Sequence, residues 1–366
     1  MLKKILSTLK YYDWWLLAFC FILLTIGIII IYSIGINTNP TDLSRFYKQV
    51  IFAIIGIVIM ICISYMDYRI LNNYATIFYL GGGLLLLAVL FFGSTIRGTT
   101  GWFIFGFFSF QPVEVAKICL LAFLARFFSI NFSMDKVQNI LLSALFAGIF
   151  ILLVLKQPDL GSALIFVSLW VGFLLLSRIK KSQLFIIFAL MIIVAVSSWF
   201  LVLKDYQKER IVSFVNPASD SLKTGYNVMQ AKISVGSGKI IGRGLGLGSQ
   251  SQLNFLPEQD ADFIFAVIAE ELGLIGSGLV IILFGLIFYR IWRLLKHAQD
   301  DFTQYLVSGI LIMLFTQTTI NIGMNIGLMP VTGLPLPWIS AGGTSLVINL
   351  ALIGILQSIY KRQNLT

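Results

Sequence analysis

Ten apolar runs of spanning or near-spanning length divide the 366-residue chain: 14–34, 46–66, 73–92, 112–128, 138–156, 160–177, 183–203, 263–289, 303–328 and 339–359. A transmembrane helix needs roughly 20 predominantly apolar residues, and in hydrocarbon each segment must satisfy its own backbone polar groups. The pattern predicts an all-α integral membrane protein of about ten transmembrane helices. Composition excludes an ordinary soluble enzyme: the chain is 58% apolar and 11% charged, against about 45–50% and about 25% in soluble domains. The first run follows Met1-Leu2-Lys3-Lys4 without a small-residue cleavage site and is expected to be retained. No repeat of 20–50 residues and no low-complexity linker divides the sequence. It is expected to form one polytopic membrane domain over 1–366, with a single long polar interruption at 204–262 between the seventh and eighth spans.

Twenty-six Lys and Arg against 16 Asp and Glu give a net charge of +10. Positive charge sets membrane orientation when it gathers on short loops. With the N-terminus inside, 14 of the 26 bases fall on cytoplasmic segments. Outside the long loop only Arg45, Lys48, Arg97, Lys117 and Lys156 remain. Both termini are therefore expected in the cytoplasm. The 204–262 loop is expected outside, with the short loops 35–45, 93–111, 157–159 and 329–338. The basicity then reads as an insertion signal, with membrane lipid rather than nucleic acid as its counterpart. The remaining 12 bases and 11 acids nearly cancel.

Cys20, Cys62 and Cys119 lie far apart in separate apolar runs, and His297 is the only histidine. Neither a His-based triad nor a Cys/His metal cluster can be assembled from this set. An enzyme built on this chain must take a carboxylate as its base.

Charges at membrane depth are costly enough to be functional hypotheses. Glu114 and Lys117 follow Pro112 at i, i+3 spacing on one helix face; they read either as an internal ion pair locking two helices or as a polar pocket open to the outside. In Lys156-Gln157-Pro158-Asp159-Leu160-Gly161-Ser162, Asp159 reads as a helix cap or as an acid facing the same side as the long loop. Within that loop, the start at 206–214 is amphipathic and basic and includes Arg210. Residues 225–232 suit a short interfacial helix. The glycine-rich stretch 236–248 is not a P-loop, because Ile233 and Ile240 occupy its required positions. Turn geometry is its default reading, and an anion site at Lys239, Arg243 and the loop amides is the second. The loop ends in Leu256-Pro257-Glu258-Gln259-Asp260-Ala261-Asp262, which places Asp262 at the N-terminus of the next span, where the helix dipole favours an anion. Glu270 and Glu271 lie deeper on that helix and need partners, with Lys117 or backbone groups as candidates.

Four separated segments occur in one order: Arg97 to Trp102 with Gln111-Pro112-x-Glu114-x-x-Lys117, Gln157 to Ser162, Leu256 to Gly273, and Pro337-Trp338-Ile339-Ser340-Ala341-Gly342-Gly343-Thr344-Ser345. Together they resemble the SEDS family (shape, elongation, division and sporulation) over nearly the whole chain, and Gly248 to Glu258 is similar to its RodA-like, elongation branch. The resemblance implies a ten-helix peptidoglycan glycosyltransferase in the bacterial cytoplasmic membrane that polymerises lipid II on the outer face. It also implies a class B penicillin-binding protein partner and contact with other membrane proteins of the elongation machinery. Its catalytic aspartate maps onto Asp262. The family's usual histidine and threonine before that residue are here Asp260 and Ala261, which adds a like charge able to raise the proton affinity of Asp262.

Forming a β-1,4 glycosidic bond requires a base for a sugar hydroxyl and cations for a departing pyrophosphate. On this reading Asp262 is the general base. Arg97, Lys117 and Arg210 are candidates for the pyrophosphate, Glu114 positions Lys117, and Asp159, Lys239, Arg243 and Glu258 complete the substrate-binding set. No permanently bound cofactor or protein metal site is expected; Mg²⁺ or Mn²⁺ held by phosphates and a carboxylate is compatible with hard oxygen ligands. The rival functions are a flippase for the same lipid, which would use Glu114, Lys117, Glu270 and Glu271 as a translocation path, and a scaffold for the wall machinery.

Overall fold

The computed structural model describes residues 11–36, 41–96, 98–106, 108–130, 136–177, 179–201, 207–208, 212–214, 224–253 and 255–363. In chain order the elements are α1 (Trp14–Ile36), α2 (Ser44–Tyr65), α3 (Arg69–Asn73), α4 (Ala75–Phe92), β1 (Ser94–Ile96), β2 (Thr99–Phe105), β3 (Phe108–Phe110), α5 (Pro112–Ile130), α6 (Val137–Lys156), α7 (Leu160–Leu176), α8 (Lys181–Leu201), α9 (Thr224–Ser237), α10 (Ser249–Gln252), α11 (Ile264–Lys296), α12 (Asp301–Asn325) and α13 (Gly343–Gln363). Each of the ten apolar runs is a long helix. Among the described residues seven are long and apolar enough to cross a membrane by themselves. Two others fall short for visible reasons: α5 carries Glu114, Lys117 and Arg126, and α7 has 17 residues.

Burial runs opposite to that of a soluble protein. Leu84, Phe91, Phe92, Leu279 and Ile282 face outward, whereas Glu114, Lys117, Glu270, Glu271, Gln317, Asn321 and Asn325 are all 2% exposed or less. Apolar side chains cost nothing against lipid, so the bundle interior is where polar groups find partners. Helix α13 lies along α2, and small residues set the distance: a Cβ on Gly354 would stand 2.6 Å from the Met60 carbonyl, and one on Gly56 2.6 Å from Leu350. At the end holding the chain termini, Asp13 accepts from Arg290 Nε at 2.9 Å and exchanges backbone bonds with the Gln357 amide at 2.9 and 3.0 Å. This joins α1, α11 and α13.

The loop expected at 93–111 is instead an antiparallel β1-β2-β3 meander. Its turns use Gly98 (φ 79°) and Gly106 (φ 55°), and the run Thr99-Thr-Gly-Trp-Phe-Ile-Phe has the β-branched and aromatic content that suits a strand.

Helix α11 is interrupted at Gly273 (φ 69°, ψ −164°), which frees carbonyls before the break and amides after it. Residues 238–248 supply the missing partners. Arg243 and Gly244 amides donate to the Glu270 and Glu271 carbonyls, each at 3.0 Å, while Leu274 and Ile275 amides donate to the Lys239 and Ile240 carbonyls at 2.9 and 3.2 Å. The Glu270 carboxylate accepts the amides of Gln250 and Ser251 at 2.8 and 3.1 Å. Glu271 accepts Ser33 Oγ at 2.8 Å and Gln252 Nε2 at 3.0 Å. Backbone and neutral side-chain donors thus satisfy the pair, and Lys117, the other partner considered, is engaged elsewhere.

Helix α9, expected as a short helix at 225–232, buries Gly225, Val228, Ala231 and Ser234 and packs on α11 and α12. A Cβ on Gly238, just beyond it, would overlap the Ala269 carbonyl. Gly238→Ala is expected to lower stability by about 1–3 kcal/mol through overpacking, measured as a fall in Tm of the purified protein in detergent.

Candidate functional site

At the end of the bundle opposite the termini, the segment before α11 is turned back on itself: the Glu258 carbonyl accepts the amides of Ala261, Asp262 and Phe263 at 3.1, 3.1 and 3.3 Å. Glu258 holds φ 52° to do so. The remaining backbone groups of this turn are fixed from other elements. Ser340 Oγ donates to the Ala261 carbonyl at 2.6 Å, and the Ala341 amide donates to the Asp260 carbonyl at 2.8 Å.

Asp262 is held through its backbone. Its carbonyl accepts Asn321 Nδ2 at 3.1 Å and Asn325 Nδ2 at 3.0 Å. Asn321 also donates to the Leu334 carbonyl at 2.7 Å, and Asn325 Oδ1 accepts the Ala266 amide at 2.9 Å, capping the start of α11. One helical turn earlier on α12, Gln317 donates to the Pro335 carbonyl at 2.9 Å. Three amides at i, i+4 and i+8 therefore bolt the aspartate's peptide and the 334–335 loop to one helix face. Asp262 as a whole is only partly buried. A Cβ at Gly333 (φ 78°) would lie 3.6 Å from its Oδ2, so the loop at Gly333 lies against the acid. Asn325→Leu is expected to cost about 1–3 kcal/mol by leaving the Asp262 carbonyl and Ala266 amide short of partners, read as a lowered Tm.

Next to this turn is a cavity of about 250 Å³ lined by Arg45, Lys48, Trp102, Ser109, Asp260 and the Gly342–Gly343 backbone. Arg45 forms an ion pair with Asp260. The like charge introduced beside Asp262 is thus met by a cation from α2. Asp42, outside the spans, has its carboxyl held below the usual range chiefly by hydrogen bonds from Ser44, whose amide lies at 2.9 Å. Arg45 and Lys48 sit at i, i+3 on the first turn of α2, a cationic rim beside an aromatic wall.

The predicted site residues divide into groups. Glu114 and Lys117 form an ion pair at 2.7 Å with side chains 3% and 1% exposed, a closed internal pair rather than an open pocket. Asp159 caps α7, accepting the Ser162 amide at 2.9 Å and its hydroxyl at 2.8 Å. This cap still borders the site, because a Cβ on Gly161 would stand 2.9 Å from the Thr332 carbonyl and 2.8 Å from Leu334, in the loop that faces Asp262 through Gly333. Lys239 and Arg243 lie in the segment that fills the α11 break, with Arg243 donating to Ser249 Oγ at 2.8 Å. The amides of Arg243 and Gly244 serve the helix break and are not offered to an anion. Arg97 and Arg210 lie outside the described residues. Among the described residues no three His, Cys, Asp or Glu side chains gather to hold a metal ion.

The residues that sequence reasoning passed over are Arg45, Lys48, Gln317, Asn321 and Asn325. The last three had a visible signal, since amides spaced four apart inside an apolar run mark a buried polar face.

Residues 14–365 match the FTSW_RODA_SPOVE family model, described as cell cycle protein. The chain is similar to peptidoglycan glycosyltransferase MrdB of Escherichia coli K12, 34% identical with 90% of this chain and 89% of that protein covered. It is also similar to peptidoglycan glycosyltransferase RodA of Treponema pallidum, 31% identical with 96% and 98% covered. A probable peptidoglycan glycosyltransferase FtsW of Geobacter metallireducens is 36% identical, with 98% and 97% covered. Among solved structures, a chain from work on structural coordination of polymerization and crosslinking by a peptidoglycan synthase complex superposes with a TM-score of 0.84 at 29% identity, covering 96% of this chain and 98% of that one. The Rod shape determining protein RodA of Thermus thermophilus gives 0.72 at 27% identity, covering 96% and 97%. With the family model matched over residues 14–365, the chain belongs to the FtsW, RodA and SpoVE family of cell cycle proteins.

Proposed function

We propose that the chain is a peptidoglycan glycosyltransferase that polymerises lipid II, with Asp262 as general base and the Asp262 end of the bundle facing the extracytoplasmic side of the bacterial cytoplasmic membrane. The observation that carries the reading is the treatment of Asp262: its peptide is fixed by two buried amides, the residue is only partly buried, and its neighbours Asp260 and Ala261 line a cavity rimmed by Arg45 and Lys48.

The step is a displacement at the anomeric carbon. The acceptor's 4-hydroxyl forms the new C–O bond, its proton passes to the Asp262 carboxylate, and the bond to the lipid pyrophosphate breaks with the electron pair leaving on phosphate. A rigid base contributes through proton transfer, and fixed cations stabilise the charge that develops on the leaving group. Arg45 and Lys48, which line the cavity at Asp260 and Ala261, join Arg97 and Arg210 as candidates for that charge. Lys117 is closed off behind Glu114 and supports the architecture. A divalent cation bound there would draw most of its ligands from the substrate's phosphates, the hard oxygen donors such an ion takes.

The elongation role rests on the residues from Gly248 to Glu258, and a class B penicillin-binding protein as partner is supported by the likeness to a chain of a synthase complex. The flippase reading loses its main support, because Glu114, Lys117, Glu270 and Glu271 are all engaged in internal bonds. Incubating the purified chain with labelled lipid II, with and without a class B penicillin-binding protein, and resolving products on a gel tests the proposal. A ladder of glycan strands is expected, and unaltered lipid II under both conditions would refute it.

A further inference from the structure

We infer that residues 238–248 are a re-entrant segment lying in the hydrocarbon of the leaflet nearest Asp262, with acyl chains as the occupant of its exposed apolar side. The inference does not depend on the catalytic reading.

The segment is pinned at a definite depth. Lys239 and Ile240 carbonyls accept the amides of Leu274 and Ile275 at 2.9 and 3.2 Å, so this stretch of backbone runs at the level of those residues. The far membrane boundary is marked on the same helix by exposed Tyr289 and Trp292, with Lys296 placed over the Trp292 ring at 3.7 Å. Aromatic rings and cations of this kind collect at the lipid–water interface. From Leu274 to Arg290 the helix rises about 24 Å at about 1.5 Å per residue, less than the about 30 Å thickness of the hydrocarbon. Leu274 and Ile275 therefore lie inside the apolar slab, and tilt would place them deeper.

The segment has the chemistry for that position. Ile240, Ile241, Leu245 and Leu247 are 63%, 81%, 51% and 70% exposed, an apolar surface too open for a loop in water. It continues the lipid-facing row of α11, where Leu274, Ile275, Leu279 and Ile282 are 46–66% exposed. Non-helical backbone is tolerated at such depth only when its polar groups are met, and the exchange of bonds with the α11 break meets them. Exposed Lys239 and Arg243 are long enough to reach the headgroup phosphates from just beneath them. This gives both cations a role at the lipid surface.

The test is depth measurement on the full chain in lipid nanodiscs without a partner protein. Cys20, Cys62 and Cys119 are replaced by alanine, and single nitroxide labels are placed at Ile241 and Leu247, with Leu245 as a further position if either label disturbs monodisperse elution. Accessibility to oxygen, which partitions into lipid, is compared with that to a water-soluble nickel chelate. Labels at Leu279 and Asp42 provide the lipid and water references. The oxygen-to-nickel ratio at Ile241 and Leu247 is expected to match that at Leu279 and to exceed that at Asp42 several-fold. A ratio like that of Asp42 would overturn the inference in favour of an aqueous loop. Low access to both reagents would overturn it in favour of a protein surface, such as a second copy of the chain.

Discussion

Asp262→Asn is expected to lower the rate of glycan polymerisation by about 10²–10⁴-fold, the range a general base contributes, without loss of the folded protein. The amide keeps the shape and the surroundings of the side chain. The backbone bonds from Asn321 and Asn325 go to the Asp262 carbonyl and survive the change. The variant should therefore elute and melt like the parent while producing little or no polymer at saturating lipid II. A role limited to structure predicts the reverse, a shifted Tm with turnover per folded molecule retained.

Lys117→Met is expected to be the most damaging single change to stability. The Glu114 carboxylate and Lys117 ammonium are each nearly sealed from solvent and lie 2.7 Å apart, so removing the cation strands an anion in the bundle. Breaking a buried pair from one side costs about 3–5 kcal/mol, whereas replacing both members by neutral groups of similar volume is often close to neutral. The double variant Glu114→Gln with Lys117→Met should consequently recover much of the lost thermal stability in detergent. Failure of the double variant to recover would mean that the pair does more than neutralise itself.

How much of this was legible in the sequence follows from which physical constraint governs each part. The ten spans were readable because hydrocarbon forces each one to be long, apolar and internally bonded, and every apolar run coincides with a helix. The position of Asp262 at the head of a span was readable from the polarity change there, its role as base is what the family resemblance implies, and the Glu114–Lys117 pair was readable from its i, i+3 spacing. The meander at 94–110 was hidden among glycines and aromatics in a short outer loop. The break at Gly273 was hidden because its hydropathy matches that of an unbroken helix; the backbone angles of Gly273 and the bonds from 238–248 reveal it. The partners of Glu271 were hidden for the same reason, since Ser33 lies 238 residues away. Arg45 looked like ordinary loop charge until the fold brought Asp260 to it.

Glycosyl transfer by Asp262 on one face of the membrane can be read directly in proteoliposomes. The chain is reconstituted with a class B penicillin-binding protein, and fluorescent lipid II is supplied only to the side that the Asp262 end faces. Glycan polymer is expected from the parent chain and none from the Asp262→Asn variant. Transfer of label to the opposite leaflet with no polymer formed, equal in parent and variant, would contradict it.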